Sequence, residues 1–133
     1  SLCELRGASP RFATPEAVTA AACAGSDADA VETVEMFCAV LGGFAGNVAM
    51  AFAADGGVYL AGGVLPEIRQ MLQRSRFVDR FLDKGSMREF LLHVPVRLIE
   101  HGRHGVLGAA HWYIDRQLHG VARRRASSDG AAA

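Results

Sequence analysis

The chain has 133 residues, half of them apolar, which is enough for one domain with a real core. Lysine plus arginine and aspartate plus glutamate balance at 14 each, so no overall field favours nucleic acid or an anionic membrane. Cys3, Cys23 and Cys38 are odd in number and widely spaced, which supports neither a disulfide framework nor a zinc site and predicts reduced, buried thiols.

No run reaches roughly 18 uninterrupted apolar residues, so the expectation is a soluble, cytoplasmic protein. The start, Ser1 to Gly7, has neither an initiating methionine nor the basic and apolar run of a signal peptide. It reads as a piece of something longer. Leu2 to Arg6 predicts the tail of a helix ended by Gly7. Thr14-Pro15-Glu16 supplies a cap, a proline at the first helical position and an acid near the positive end, predicting a short helix to about Ala24 that Gly25 stops.

The dominant element follows. Ser26 or Asp27 caps a helix in which Val31, Val34, Cys38, Leu41, Ala45, Val48 and Phe52 recur at spacings of three and four, with Phe37 and Phe44 widening the stripe. Gly42, Gly43 and Gly46 lie mid-helix, where each costs about 1 kcal/mol relative to alanine, so something must come very close there. Packing against another helix or the sheet is favoured over direct ligand contact.

Asp55-Gly56-Gly57 turns the chain into a strand, Val58 to Ala61, which stops on Gly62 and Gly63 and passes into a helix with Pro66 as its first residue. A turn of this kind holds a phosphate, lets a flat nucleotide ring lie on the backbone, or is a close-packed turn with no ligand, and spacing does not choose between them. The helix is expected to run from Pro66 through Ile68, Met71 and Leu72 to about Arg74. A second amphipathic segment carries Phe77, Val78, Phe81 and Leu82 and ends near Gly85. One more turn holds Met87, Phe90 and Leu91. Val94 to Ile99 predicts the second strand, with Pro95 near its start. His101-Gly102-Arg103-His104-Gly105 then leads to a helix with Leu107, Ala110, Ile114 and Leu118 on one face. His101, His104 and His111 lack a helical i, i+4 pair and acidic partners, so ordinary loop and surface histidines are the better reading. Residues 120–133 are low in complexity and predict a flexible tail or linker, and their three arginines are weak grounds for nucleic-acid binding.

Taken in order, Gly42-Gly43-Phe44-Ala45-Gly46-Asn47-Val48-Ala49, Gly57 to Pro66, Phe81-Leu82-Asp83-Lys84-Gly85, Val94-Pro95-Val96 and Gly105 to Ala110 resemble the C-terminal part of bacterial ATP-dependent glucokinases, over most of residues 1–119. The resemblance implies an α/β chain, the C-terminal portion of the actin-like, hexokinase-type ATPase fold, helix-rich with two parallel strands at Val58–Ala61 and Val94–Ile99. It implies nucleotide binding at Gly62, Gly63, Val64 and Leu65, within the family's adenosine motif. The parent enzyme would transfer phosphate from ATP, with Mg2+, to the 6-hydroxyl of glucose in glycolysis. The family's phosphate loop, aspartate base and glucose-holding Asn, Glu and His belong to segments before Ser1, so this truncated chain is expected to hold no catalytic residue and to be inactive alone. A homo-oligomer and a fused domain beyond residue 120 are further expectations. The alternatives are a non-catalytic nucleotide-binding, association or regulatory module, and a kinase for another hexose.

Overall fold

The computed structural model describes Gly7, residues 11–100 and residues 105–116. They fall into two units, within residues 1–100 and within 101–133. The expected helix at Leu2–Arg6, His101, His104, Leu118, the boundary at residue 119 and the tail lie outside the described residues.

Helix α1, Pro15–Ala24, starts and stops where its sequence signals stand. Thr14 is the N-cap and accepts a hydrogen bond from the Ala17 amide, Pro15 opens the helix, and Gly25 ends it at φ 64°. Helix α2, Ala28–Ala51, is capped by Asp27, whose Oδ1 accepts from the Ala30 amide at 2.9 Å. Arg11 braces this start by pairing with Asp27 and Asp29. By length and composition α2 could also cross a membrane, but the core helix of a soluble domain passes the same test.

The face of α2 that is buried consists of Ala30, Val34, Cys38, Gly42, Ala45, Gly46 and Ala49. It is narrower and made of smaller residues than the stripe expected from periodicity: Val31, Leu41 and Val48 are half-buried, while Phe37, Phe44 and Phe52 are exposed. The reason lies in the partner. Helix α5, Phe77–Leu82, crosses so closely that a Cβ on Gly42 would stand 2.2 Å from the Phe77 carbonyl oxygen, and one on Gly46 would stand 2.5 Å from that of Phe81. Two glycines of the trio thus make room for a backbone, as the packing alternative requires, and the small face is what allows α5 to seat Phe77 and Phe81, stacked with ring centroids 6.2 Å apart. Gly43 is different, because a Cβ there meets nothing within 4 Å.

Strands β1, Val58–Leu60, and β2, Val96–Leu98, are parallel, with Val58 opposite Val96 and Leu60 opposite Leu98. Both are shorter than expected; the Val58 amide donates to the Pro95 carbonyl and the Ile99 amide to that of Leu60, so the ladder's outer bonds belong to flanking residues. Gly57, at φ 120°, leads into β1 where a Cβ would press on the Pro95 carbonyl at 2.8 Å, so this turn needs glycine twice over. Between the strands the chain forms α3, Val64–Glu67, α4, Arg69–Arg74, α5, a 3₁₀ turn at Gly85–Met87 and α6, Arg88–Leu92. The single helix expected from Pro66 to Arg74 is therefore broken at Ile68, whose side chain is almost wholly buried. At the break Ile68 leaves helical angles for φ −93° and ψ 13°.

Cys38 is a buried free thiol, and burial pushes its pKa up, with the Glu35 carboxylate adding to the rise and a hydrogen bond to Ser75 opposing it. Cys23 corrects the expectation of buried thiols, being exposed. In the second unit residues 105–116 form helix α7, and its Leu107 and Ile114, placed on one apolar face by the sequence, are exposed; Arg116 lies over the Trp112 ring.

The glycines of α2 give a paired test. Gly42→Ala forces a methyl group into the Phe77 backbone and should destabilise the chain by about 1–3 kcal/mol, as overpacking does. Gly43→Ala meets open space and should stabilise it by about 1 kcal/mol through helix propensity. Thermal unfolding of the two variants checks this, and equal shifts would contradict the packing described.

Candidate functional site

Strand β1 ends on buried Leu60, and the chain returns to the core at Leu65 and Ile68. These three apolar anchors pin a short exposed arc, Ala61, Gly62, Gly63 and Val64. Gly62 is near-extended at φ 159°, and Gly63 has helical angles, φ −65° and ψ −33°, as the residue before α3. Gly63 therefore needs no left-handed backbone. Nor does packing reserve it: a Cβ on Gly63 would meet nothing within 4 Å, and one on Gly62 only Leu65 Cδ1 at 4.0 Å.

Of the four residues implied to bind nucleotide, Gly62, Gly63 and Val64 thus share an open surface, whereas the side chain of Leu65 points into the core. Pro66 is the third residue of α3, two places later than expected. It costs no intrahelical hydrogen bond there, because the first-turn amides have no partner in any case. Since α3 has four residues, it lacks the aligned peptides that make a longer helix attract a phosphate, and the phosphate alternative loses its basis. No residue from Ala61 to Leu65 is titratable. The arc offers backbone surface and no acid, base or nucleophile.

Gly42 and Gly46 of α2 are taken up by the α5 backbone. Helix α1 stands beside α3: the Thr19 hydroxyl lies 3.3 Å from Glu67 Oε2, and Cys23 Sγ lies 3.5 Å from the Glu67 carbonyl oxygen. Sequence reasoning missed this pair, and no spacing rule joins residues so far apart in the chain.

It also missed a groove of about 690 Å3 between α2 and the segment from Arg74 to Lys84. Met36, Val40 and Gly43 line one side and Arg76, Arg80 and Lys84 the other, none of them in the glycine turn. The signal in the sequence was Gly43, the one glycine of the α2 trio that no neighbouring backbone explains. Among the described residues no cluster of three His, Cys, Asp or Glu side chains could hold a metal ion.

A family model described as Glucokinase matches residues 1–116. A glucokinase-like protein of Xylella fastidiosa is 52% identical over 117 residues, covering 88% of this chain and 35% of that protein. A glucokinase of Saccharophagus degradans is 41% identical over 112 residues, covering 84% and 35%. The crystal structure of a glucokinase from an Antarctic psychrotroph superposes with a TM-score of 0.71 at 33% identity, over 82% of this chain and 34% of that one. The chain spans about a third of the length of these relatives.

Proposed function

The chain belongs to the glucokinase family, and from that membership we propose that it forms the adenosine-holding side of the cleft in an ATP-dependent glucose kinase. Residues 1–119 are the C-terminal part of that enzyme in this reading, residues 120–133 a tail or linker to a further domain, and the compartment is the cytoplasm.

One observation carries the proposal. Gly63 lies at the end of a strand with its backbone face open, in a conformation any residue adopts and with no neighbour that a side chain would strike. A glycine that neither fold nor backbone needs is accounted for by something flat resting on it, and the adenine ring of ATP fits that surface; Gly62 and Val64 complete it. Leu65 contributes by anchoring the arc from beneath. The arc has nothing that moves a proton, so it supports binding and positioning, which is most of what a protein contributes to phosphoryl transfer. ATP would bring Mg2+ with it, a cation held largely by the phosphates and one or two carboxylates.

Within the complete enzyme, Gly63→Val should raise the KM for ATP by about tenfold or more, while the KM for glucose and the melting temperature hold, because the added carbons meet only solvent in the absence of nucleotide. A normal KM for ATP would remove the nucleotide from this turn. The isolated chain should show no glucose phosphorylation in a coupled assay; turnover approaching the ~1–100 per second of ordinary kinases would place the catalytic groups within it.

Self-association belongs to the same reading. Phe37, Val40 and Phe44 make an exposed apolar stripe on α2, and such surfaces are buried against other protein. Light scattering of the isolated chain should give a mass that rises with concentration, and a constant monomer mass would count against a homo-oligomer through this face.

A further inference from the structure

We propose that Thr19 is a positioning residue for the glycine turn, acting through Glu67 to hold α3 against α1. The proposal rests on reading that turn as the nucleotide face and adds the contact that orients it.

Thr19 is the one buried polar side chain among the described residues, 7% exposed in a core otherwise made of apolar groups and glycine. A hydroxyl placed there needs partners, since burial without them carries a desolvation penalty. Its Oγ1 has two acceptors, the Glu16 carbonyl of its own helix at 2.9 Å and Glu67 Oε2 at 3.3 Å, so its single proton is shared between a local bond and a bond across 48 residues of chain. The local bond would form at any exposed helical threonine. The second is specific to this fold. One turn further along the same face of α1, the Cys23 thiol reaches the Glu67 carbonyl at 3.5 Å, so both ends of Glu67 are met from α1.

Glu67 is the last residue of α3, four after Gly63. A four-residue helix has no stability of its own, so its orientation is set by whatever it touches. Leu65 and Ile68 hold one face of α3 in the core and set its rotation coarsely, and apolar contact supplies no directional bond to refine it. The Thr19–Glu67 bond is directional. It fixes which way α3 faces, and with it the plane of the Gly62–Gly63 backbone on which a ring would lie. Small misplacement of such a surface costs affinity without harming the fold.

The experiment uses the complete protein that carries this segment, in four forms: unaltered, Thr19→Val, Thr19→Ser and Gly63→Val. A fluorescent adenine nucleotide, mant-ADP, is titrated to give Kd, with KM for ATP and for glucose and the melting temperature measured alongside. Thr19→Val keeps the shape and removes the hydroxyl. It should weaken mant-ADP and raise the KM for ATP by about three- to tenfold, the scale of one lost hydrogen bond, with the KM for glucose unmoved. Thr19→Ser, which keeps the donor, should restore both. If Thr19→Val lowers the melting temperature but leaves Kd alone, Thr19 is purely structural and the proposal fails. If Gly63→Val weakens mant-ADP and Thr19→Val does not, the proposal fails while the nucleotide reading stands. If neither weakens it, the nucleotide reading fails and the proposal with it. Should Thr19→Val not fold, Glu67→Ala, on the exposed side of the pair, carries the same test: a three- to tenfold weakening supports the proposal and an unchanged Kd overturns it.

Discussion

The approach of α5 to α2 is the constraint on which the larger unit depends. With a carbonyl oxygen 2.2 Å from where a Gly42 Cβ would be and another 2.5 Å from that of Gly46, the two helices touch backbone to side of backbone. Phe77 and Phe81 meet α2 with their backbone, and their side chains are buried. Each contributes about 1.5–3 kcal/mol by leaving water, against about 1 kcal/mol lost per glycine in helix propensity, so the balance favours the close crossing. The same crossing fixes the segment that follows β1, because α3, α4 and α5 are short and joined end to end. Where α5 sits decides where the glycine turn can be.

Glycine in this chain therefore serves distinct ends, and geometry separates them where sequence does not. Gly42 and Gly46 are spaces for another backbone, while Gly57 combines a left-handed conformation with a close carbonyl. Gly43 and Gly63 have neither excuse. A glycine that costs stability with no return inside the described residues directs attention to the surface it exposes. Gly56, Gly105 and Gly108 are equally open, so it is the place of Gly63 between the buried anchors Leu60 and Leu65, and of Gly43 on the groove beside Arg76 and Lys84, that marks these two surfaces.

Much of the architecture was legible because its signals are local. Thr14-Pro15 with Gly25, and Asp27 before an apolar stripe, set the ends of α1 and the start of α2 through hydrogen bonds made within a few residues. The two parallel strands were readable from their β-branched runs and the helical segment between them. The Ile68 break was not, since no residue from Ile68 to Arg74 is a helix breaker and the change in its backbone angles has no local signal. The fate of Phe37, Phe44 and Phe52 was not legible for a related reason. Periodicity says which residues share a face of a helix, but not how many neighbours arrive to cover it. Helices α1 and α5 cover the small-residue face and leave the aromatic one in solvent.

The glycine turn was legible as a turn, while the contacts that hold it were not. Gly62 and Gly63 stand out in any reading of the chain, and the structure leaves them open. Leu60, Leu65 and Ile68 anchor them, and the directional bond beside them comes from a buried threonine on a helix that the sequence marks only by its caps. The pattern has a physical basis: a surface meant to receive a flat ring must be bare, so its own residues carry no information about orientation. The orienting groups have to come from elsewhere, through directional bonds to an element rigidly joined to the bare surface. In this chain the rigid join is a single helical turn between Gly63 and Glu67, short enough that one bond at its far end controls the near end.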